Sequence, residues 1–143
     1  LFPDWRWLGV ELRRHRVAAV EPHAPDNCLP LRLDARILFS TLLSSEEVDR
    51  VDILFPTPTD KSQHLLLTDE LVEHFRRTLR PKGVVHIATD VRGIDELAQQ
   101  LFIGWAQVNA PTRAPDLSRR ERVCRRDGLS VWAQTFEVPS GDE

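Results

Sequence analysis

Short apolar runs alternate along this chain with segments in which apolar residues recur every three or four positions. The runs have the length and composition of strands and lie in WRWLGVEL, LPLRLDA, VDILF and GVVHIATD. The segments between them have helical spacing: RRHRVAAVE, a stretch that continues through Leu43, a run that follows Thr68, and IDELAQQLFIGW. Strand and helix in alternation predict an α/β fold built on an open, mainly parallel sheet.

The helix after Thr68 has the clearest predicted boundaries. Thr68 is suited to cap it, and Asp69 and Glu70 occupy the first turn, where the helix dipole favours negative charge. Its apolar positions follow at helical spacing, and the Pro81-Lys82-Gly83 sequence is expected to end it.

The end of the chain contains two further segments, RERVCRRD and LSVWAQTFEV. An Asp-Gly pair between two such segments is typical of a tight turn between antiparallel strands. Asp127 and Gly128 therefore predict a C-terminal β-hairpin.

Three of the predicted strands end in an acid, namely Glu11, Asp34 and Asp90. Ligands of open α/β sheets bind beyond the carboxyl ends of the strands, and a carboxylate there can accept hydrogen bonds from both ribose hydroxyls. The alternative is that such acids are polar turn residues or helix caps. The fourth predicted strand ends in a stiff loop with Pro56 and Pro58, whose Thr57, Thr59, Ser62 and Gln63 do not ionise near neutral pH.

Composition and charge narrow the classes of function. A net charge of −3 and a pI near 6.0 exclude a strongly basic nucleic-acid-binding domain, although arginines cluster between residues 119 and 126. The two cysteines and five histidines show none of the spacings of a metal site, so no metal is expected. No apolar run is long enough to span a membrane and no leader is visible, which favours a cytoplasmic protein.

Four motifs follow one another along the chain: LGVE at residues 8–11, FP-x-P followed by Lys61 and His64, RPKGVVHIATD at residues 80–90, and SRRERVCRRDGLSVW at residues 118–132. Together they resemble those of the bacterial tRNA (guanine-N7)-methyltransferases. In the family the corresponding forms are L/I-G-I/V-E, FPDPW-x-K-x-RH, LKPGG-x-LH-x-ATD, and TKFE with a later VW. The similarity covers nearly the whole chain.

The resemblance implies a Rossmann-like class I methyltransferase sheet with helices on both faces and S-adenosylmethionine as cofactor. It also implies that the family's first strand and glycine loop would precede LGVE, so that residues 1–143 form a partial methyltransferase domain. That first strand would lie between the strands ending at Glu11 and Phe55. Without it, the sheet would keep an open slot or those two strands would pair directly.

The resemblance further assigns roles to individual positions. Glu11 would bind the cofactor ribose, and Asp34 with Ala35 the adenine end. The tRNA substrate would contact Lys61, Asp90, Ser118, Arg119 and Glu121. Thr57, at the position of the family's Asp, and His64 would belong to the catalytic loop.

The loop departs from the family because Thr57 and Gln63 replace an Asp and an Arg, and Leu65 to Leu67 replace a basic stretch. Three functions are therefore kept open: a tRNA (guanine-N7)-methyltransferase, a methyltransferase of a small molecule, and an inactive binding or scaffold protein. The sequence leaves the oligomeric state open.

Overall fold

The computed structural model describes residues 3–57, 66–109 and 118–141, and the chain divides into two compact units. Unit 1 is Leu1–Leu42 and unit 2 is Leu43–Glu143. Each unit contains its own β-sheet.

Unit 1 is a small parallel two-stranded sheet with short helices. Its elements are β1 (Trp7–Glu11), α1 (Arg14–Val20), a 3-10 turn (Glu21–His23), β2 (Cys28–Arg32) and α2 (Ala35–Ile37), which continues as a π-helical turn (Leu38–Leu42). In the register of the sheet Leu8 lies opposite Leu29, and Glu11 opposite Arg32. Among the described residues of this unit, only Leu38 and Phe39 are buried.

Unit 2 is a four-stranded mixed sheet with the order β3-β4-β6-β5. Strand β3 runs parallel to β4, whereas β6 is antiparallel to both β4 and β5. The elements are β3 (Val48–Leu54), α3 (Asp69–Thr78), β4 (Leu79–Thr89), α4 (Arg92–Leu101), β5 (Ala106–Gln107), α5 (Arg119–Arg126) and β6 (Trp132–Glu137).

The core of unit 2 is an aromatic cluster between its sheet and its helices. Phe102 stacks on Phe136 of β6 with ring centroids 4.7 Å apart, lies 6.4 Å from Phe75 of α3 and meets Trp105 edge-on at 5.0 Å. The apolar side chains of β3 and β4, which include Val85 and Ile87, are buried as well. Burial of these side chains holds the strand ends of unit 2 in place.

Thr68 caps α3 as predicted, and its Oγ1 accepts a hydrogen bond from the N–H of Leu71 at 3.2 Å. The predicted end of this helix is wrong, because the chain is already extended at Leu79 and β4 begins there. A proline disfavours the helical conformation of the residue before it, so Arg80 cannot continue the helix towards Pro81.

The predicted hairpin at Asp127 and Gly128 is also wrong. Residues Arg119–Arg126 form α5, and Gly128, with φ of +69°, ends this helix. The N–H groups of Gly128 and Leu129 donate to the carbonyls of Arg125 and Cys124, at 3.3 and 2.8 Å, which is a Schellman motif. Asp-Gly suits this helix end as well as a hairpin turn, because both need a residue with positive φ.

The described strands pair within their own unit. Strand β1 pairs with β2, and β3 pairs with β4. The open slot and the direct pairing of β1 with β3 therefore both stay predictions.

Candidate functional site

The carboxyl end of the sheet in unit 1 carries two of the acids that the sequence singled out. Glu11 is the last residue of β1, and Asp34 follows β2 by two residues. The N–H of Leu33 donates to the carbonyl of Glu11 at 3.2 Å, so the segment leading to Asp34 is attached to the end of β1. The structure thus brings Glu11 and Asp34 to one edge, and their roles in cofactor binding stay predictions.

Glu11 is held by the arginine two residues further on. Its Oε1 accepts hydrogen bonds from the backbone N–H and from Nε of Arg13, both at 3.0 Å, and Oε2 accepts one from Nη2 at 3.3 Å. Partial burial acts to raise the pKa of Glu11, but the hydrogen bonds from Arg13 outweigh it and lower the pKa below its ordinary value. Glu11 is therefore ionised and acts as an acceptor.

Asp34 has the same arrangement with Arg36. Its Oδ1 accepts from the backbone N–H of Arg36 at 2.9 Å, which caps α2, and Oδ2 accepts from Nη2 of Arg36 at 2.7 Å. The side-chain hydrogen bond from Arg36 lowers the pKa of Asp34 against the opposing effect of partial burial. Asp34 is thus a helix cap, the alternative considered for such acids, and Ala35 is the first residue of the capped helix.

In unit 2 the carboxyl ends of β3 and β4 lie side by side. Leu54 lies opposite Ala88, and the N–H of Phe55 donates to the carbonyl of Ala88 at 2.7 Å. Phe55 has a φ of +50°, which an aromatic residue rarely adopts, and such backbone strain is concentrated at functional sites. Thr57 follows this turn and is exposed.

Asp90 follows β4 and forms an ion pair with α5. Its Oδ2 accepts hydrogen bonds from Nε of Arg120 at 3.0 Å and from Nη2 of the same guanidinium. The side chain of Asp90 is 17% exposed, and the hydrogen bond to it raises the pKa of Arg120. This ion pair joins residues that are 30 positions apart and places the beginning of α5 beside the end of β4.

The first turn of α5 contains the other predicted substrate residues. Oγ of Ser118 caps the helix by accepting from the N–H of Glu121 at 2.9 Å. The side chain of Glu121 is 12% exposed, and its Oε1 accepts from Nη2 of Arg125 at 3.1 Å. Arg119 is exposed. The structure therefore brings Asp90, Ser118, Arg119 and Glu121 together around one end of α5.

Two predicted residues, Lys61 and His64, lie outside the described residues. Within the described residues, no group of three or more His, Cys, Asp or Glu side chains is placed to hold a metal ion. Among the same residues, no helix combines the length and the apolar character that crossing a bilayer requires.

Sequence reasoning missed the arginines that hold these acids. Arg125 lies four positions after Glu121, a spacing at which helical side chains meet, and that signal is visible in the sequence. Arg120 has no such signal because its partner comes from a different element.

Comparisons with known proteins identify a family and several relatives. A family model described as a putative methyltransferase matches residues 1–120. The tRNA (guanine-N(7)-)-methyltransferase of Burkholderia ambifaria is 30% identical over 97% of the chain and 60% of that relative's length, and that of Marinobacter nauticus is 33% identical over 94% and 63%.

Among solved structures, the N-methyltransferase NodS from Bradyrhizobium japonicum, in complex with S-adenosyl-L-homocysteine, has a TM-score of 0.60 and 11% identity. That match covers 94% of this chain and 67% of NodS, and it shows the predicted Rossmann-like class I methyltransferase fold.

The chain spans about three fifths of the length of the curated relatives that it matches. The family match nevertheless covers most of the chain, and the relatives carry the name of the family that the motifs indicated. The chain belongs to the putative methyltransferase family whose model it matches, and it is similar to tRNA (guanine-N7)-methyltransferases over most of its length.

Proposed function

We propose that the protein is a cytoplasmic, S-adenosylmethionine-dependent methyltransferase that methylates guanine N7 in tRNA. The observation that supports this most strongly is that the first turn of α5 contains Glu121 and, through Arg120, is bound to Asp90. Each carboxylate has one oxygen bound by an arginine, while Oδ1 of Asp90 and Oε2 of Glu121 accept no hydrogen bond within the described residues.

These two free oxygens suit the chemistry of guanine. The Watson–Crick edge of guanine carries N–H donors, which carboxylates accept well. N7 lies on the opposite side of the purine and has an in-plane lone pair, so its methylation needs alignment and no base to remove a proton. Asp90 and Glu121 would hold the base in position for methyl transfer.

The residues of unit 1 fit one end of the cofactor. Glu11 and Asp34 are carboxylates at the carboxyl edge of a parallel sheet, where ribose hydroxyls are commonly bound, and Ala35 offers little bulk beside the adenine. The chain contains six glycines and no Gly-x-Gly, so the residues present do not provide a glycine-rich turn for the cofactor's amino-acid end. When bound, S-adenosylmethionine supplies a methyl group carried on a positively charged sulfur.

The test is formation of N7-methylguanine in unmodified tRNA by the full-length protein. We expect Asp90→Asn and Glu121→Gln each to reduce kcat/KM by about 10- to 100-fold, the value of one hydrogen bond to a charged group. Glu96→Gln, which removes an exposed acid of α4, is the matched control and should leave kcat/KM unchanged. Equal rates for all three variants would contradict the assignment of Asp90 and Glu121.

Thr57 favours a second candidate, a protein that binds RNA without catalysis. Thr57 provides no charge at the position where the resemblance expects a catalytic Asp. Binding of S-adenosylmethionine and tRNA by the full-length protein without N7-methylguanine formation would favour this candidate.

A further inference from the structure

Helix α5 concentrates positive charge in a chain that is acidic as a whole. It contains five arginines and one glutamate in eight residues, whereas the net charge of the chain is −3. All five arginines are exposed residues. Their contacts, however, divide them into two groups.

Arg120 and Arg125 flank the side of α5 that is turned inwards. Successive helical residues are rotated by about 100°, so Arg120 and Arg125 lie on either side of the buried Glu121 and Cys124. Arg120 is paired with Asp90, and Arg125 with Glu121. These two positive charges are therefore neutralised by carboxylates of the candidate site.

The other three arginines lie on the opposite side of the helix. Arg119, Arg122 and Arg126 are spaced i, i+3 and i+7, so they form one stripe about 10 Å long. Within the described residues, neither Arg119 nor Arg122 has an ion pair. Arg126 pairs with Asp127, but their side chains are 73% and 46% exposed, and exposed pairs of this kind are weak.

We propose that Arg119, Arg122 and Arg126 form a stripe that binds phosphates of the RNA backbone on the outward side of α5, while Asp90 and Glu121 hold the guanine at the first turn of the same helix. This inference rests on the proposed function, because the same helix carries Glu121 and is attached to Asp90. Guanidinium groups bind phosphate through two parallel hydrogen bonds, and Arg126 can exchange its weak partner for a phosphate.

RNA fits this stripe better than an anionic membrane surface does. A helix that lies on a membrane needs large apolar anchors beside its basic residues. The stripe contains no aromatic residue, and the one aliphatic side chain on the same side, Val123, is partly buried in the protein.

The experiment measures the equilibrium binding of unmodified tRNA to the full-length protein between 50 and 300 mM salt, on the order of the range in which counterion release is resolved. Each lost phosphate contact reduces the slope of log K against log salt by about 0.7 to 0.9. We expect this reduction for Arg122→Ala, about twice the reduction for the double variant Arg119→Ala with Arg122→Ala, and recovery of the slope for Arg122→Lys.

Arg80→Ala is the control, since it removes the same charge from an exposed ion pair at the start of β4, at the opposite end of that strand from Asp90. It should leave the slope unchanged, and melting temperatures should show that all variants are folded. An unchanged slope for Arg122→Ala would overturn the stripe. The stripe would also be overturned if one of these variants lost affinity for phosphatidylserine vesicles while its tRNA binding was unaltered.

N7-methylguanine formation, measured on the same proteins, separates this inference from the proposed function. A stripe-dependent slope without methylation would contradict the proposed function and leave the stripe standing. Methylation together with an unaltered salt slope in Arg122→Ala would contradict the stripe and leave the proposed function standing.

Discussion

An arginine holds each of the four carboxylates that the sequence assigns to cofactor or substrate. Arg13 binds Glu11, Arg36 binds Asp34, Arg120 binds Asp90 and Arg125 binds Glu121. The pairs of Asp90 and Glu121 use one carboxylate oxygen each, whereas Glu11 and Asp34 use both. At the scale of the residue, arginine therefore keeps these carboxylates in fixed orientations.

Asp34 should make stability depend on pH. Its pKa is lowered in the folded state by Arg36, so the pair stabilises the fold above the unfolded pKa of about 3.9 and loses this effect as pH falls through the lower folded value. Asp34→Asn keeps a helix-capping side chain but removes the charge. We expect it to lower the free energy of unfolding at pH 7 by less than about 1 kcal/mol, because the pair is at the surface.

Urea unfolding of both proteins between pH 7 and pH 3.5 measures this difference, which should shrink below about pH 4. Ser44→Ala, at an exposed position, serves as a control whose effect should not change with pH. If the difference in free energy of unfolding between wild type and Asp34→Asn is the same at every pH, the ion pair is not its cause.

Thr57 is the residue at which a restored charge should increase activity. Thr57 follows the strained turn at Phe55 and is exposed. An Asp at this position would remain solvated and would carry no desolvation cost. Negative charge near the cationic purine stabilises the transition state. In the full-length protein we expect Thr57→Asp to raise single-turnover methylation of tRNA guanine by about tenfold.

Thr57→Asn has nearly the same shape without the charge and is the control. A gain of equal size with Asn would show that shape, and not charge, is responsible. If Thr57→Asp does not raise the methylation rate and lowers the melting temperature, the result favours the candidate that binds RNA without catalysis.

At the scale of the element, α5 positions the candidate substrate residues through its two ends. Ser118 caps the first turn, and Gly128 with Leu129 closes the last in a Schellman motif. Between these ends the helix buries Glu121 and Cys124. The placement of Glu121 and Arg120 therefore depends on the cap.

Removing the cap of α5 should affect both stability and activity. Ser118→Ala deletes the acceptor for the N–H of Glu121, which should cost about 1 kcal/mol of stability and reduce kcat/KM as Glu121 loses its orientation. Ser118→Thr keeps the hydroxyl and should behave like wild type.

Thr68→Ala, which removes the equivalent cap of α3, provides the comparison by urea unfolding and methylation assays. It should cost similar stability but leave kcat/KM unchanged. Equal losses of activity in Ser118→Ala and Thr68→Ala would mean that the effect on activity is only global destabilisation.

At the scale of the whole molecule, the two units differ in how much apolar surface they bury. Among the residues that the structure describes, seven of the nine exposed large apolar side chains belong to unit 1: Trp5, Leu8, Leu12, Val20, Leu29, Ile37 and Leu42. Unit 2 holds the aromatic cluster around Phe102. That residues 1–143 act as one partial methyltransferase domain stays a prediction.

This difference should appear in amide hydrogen exchange. Local opening is easiest where few apolar contacts are broken. In the 143-residue chain we expect the amides of β1 and β2 to exchange at least about tenfold faster than those of β4. Mass spectrometry of peptides from each strand measures this, and equal protection of β1 and β4 would contradict it.

The sequence by itself determined the alternation of strands and helices, the strand-end acids, the cap at Thr68 and the family. These features follow from local periodicity, from side chains that bond to their own backbone, and from motifs of contiguous residues. The predicted end of α3 and the predicted hairpin at Asp127-Gly128 were wrong for the same reason. Proline and glycine signal that an element ends, but not which element it is.

Only the tertiary structure determined which residues of distant elements are neighbours. The Asp90–Arg120 pair spans 30 positions, and the parallel pairing of β3 with β4 brings Phe55 to Ala88. It also separated the arginines of α5 into those bound to carboxylates and those that face outwards, because burial of Glu121 and Cys124 fixes the rotation of the helix. Such contacts depend on packing between distant elements, which no local pattern records.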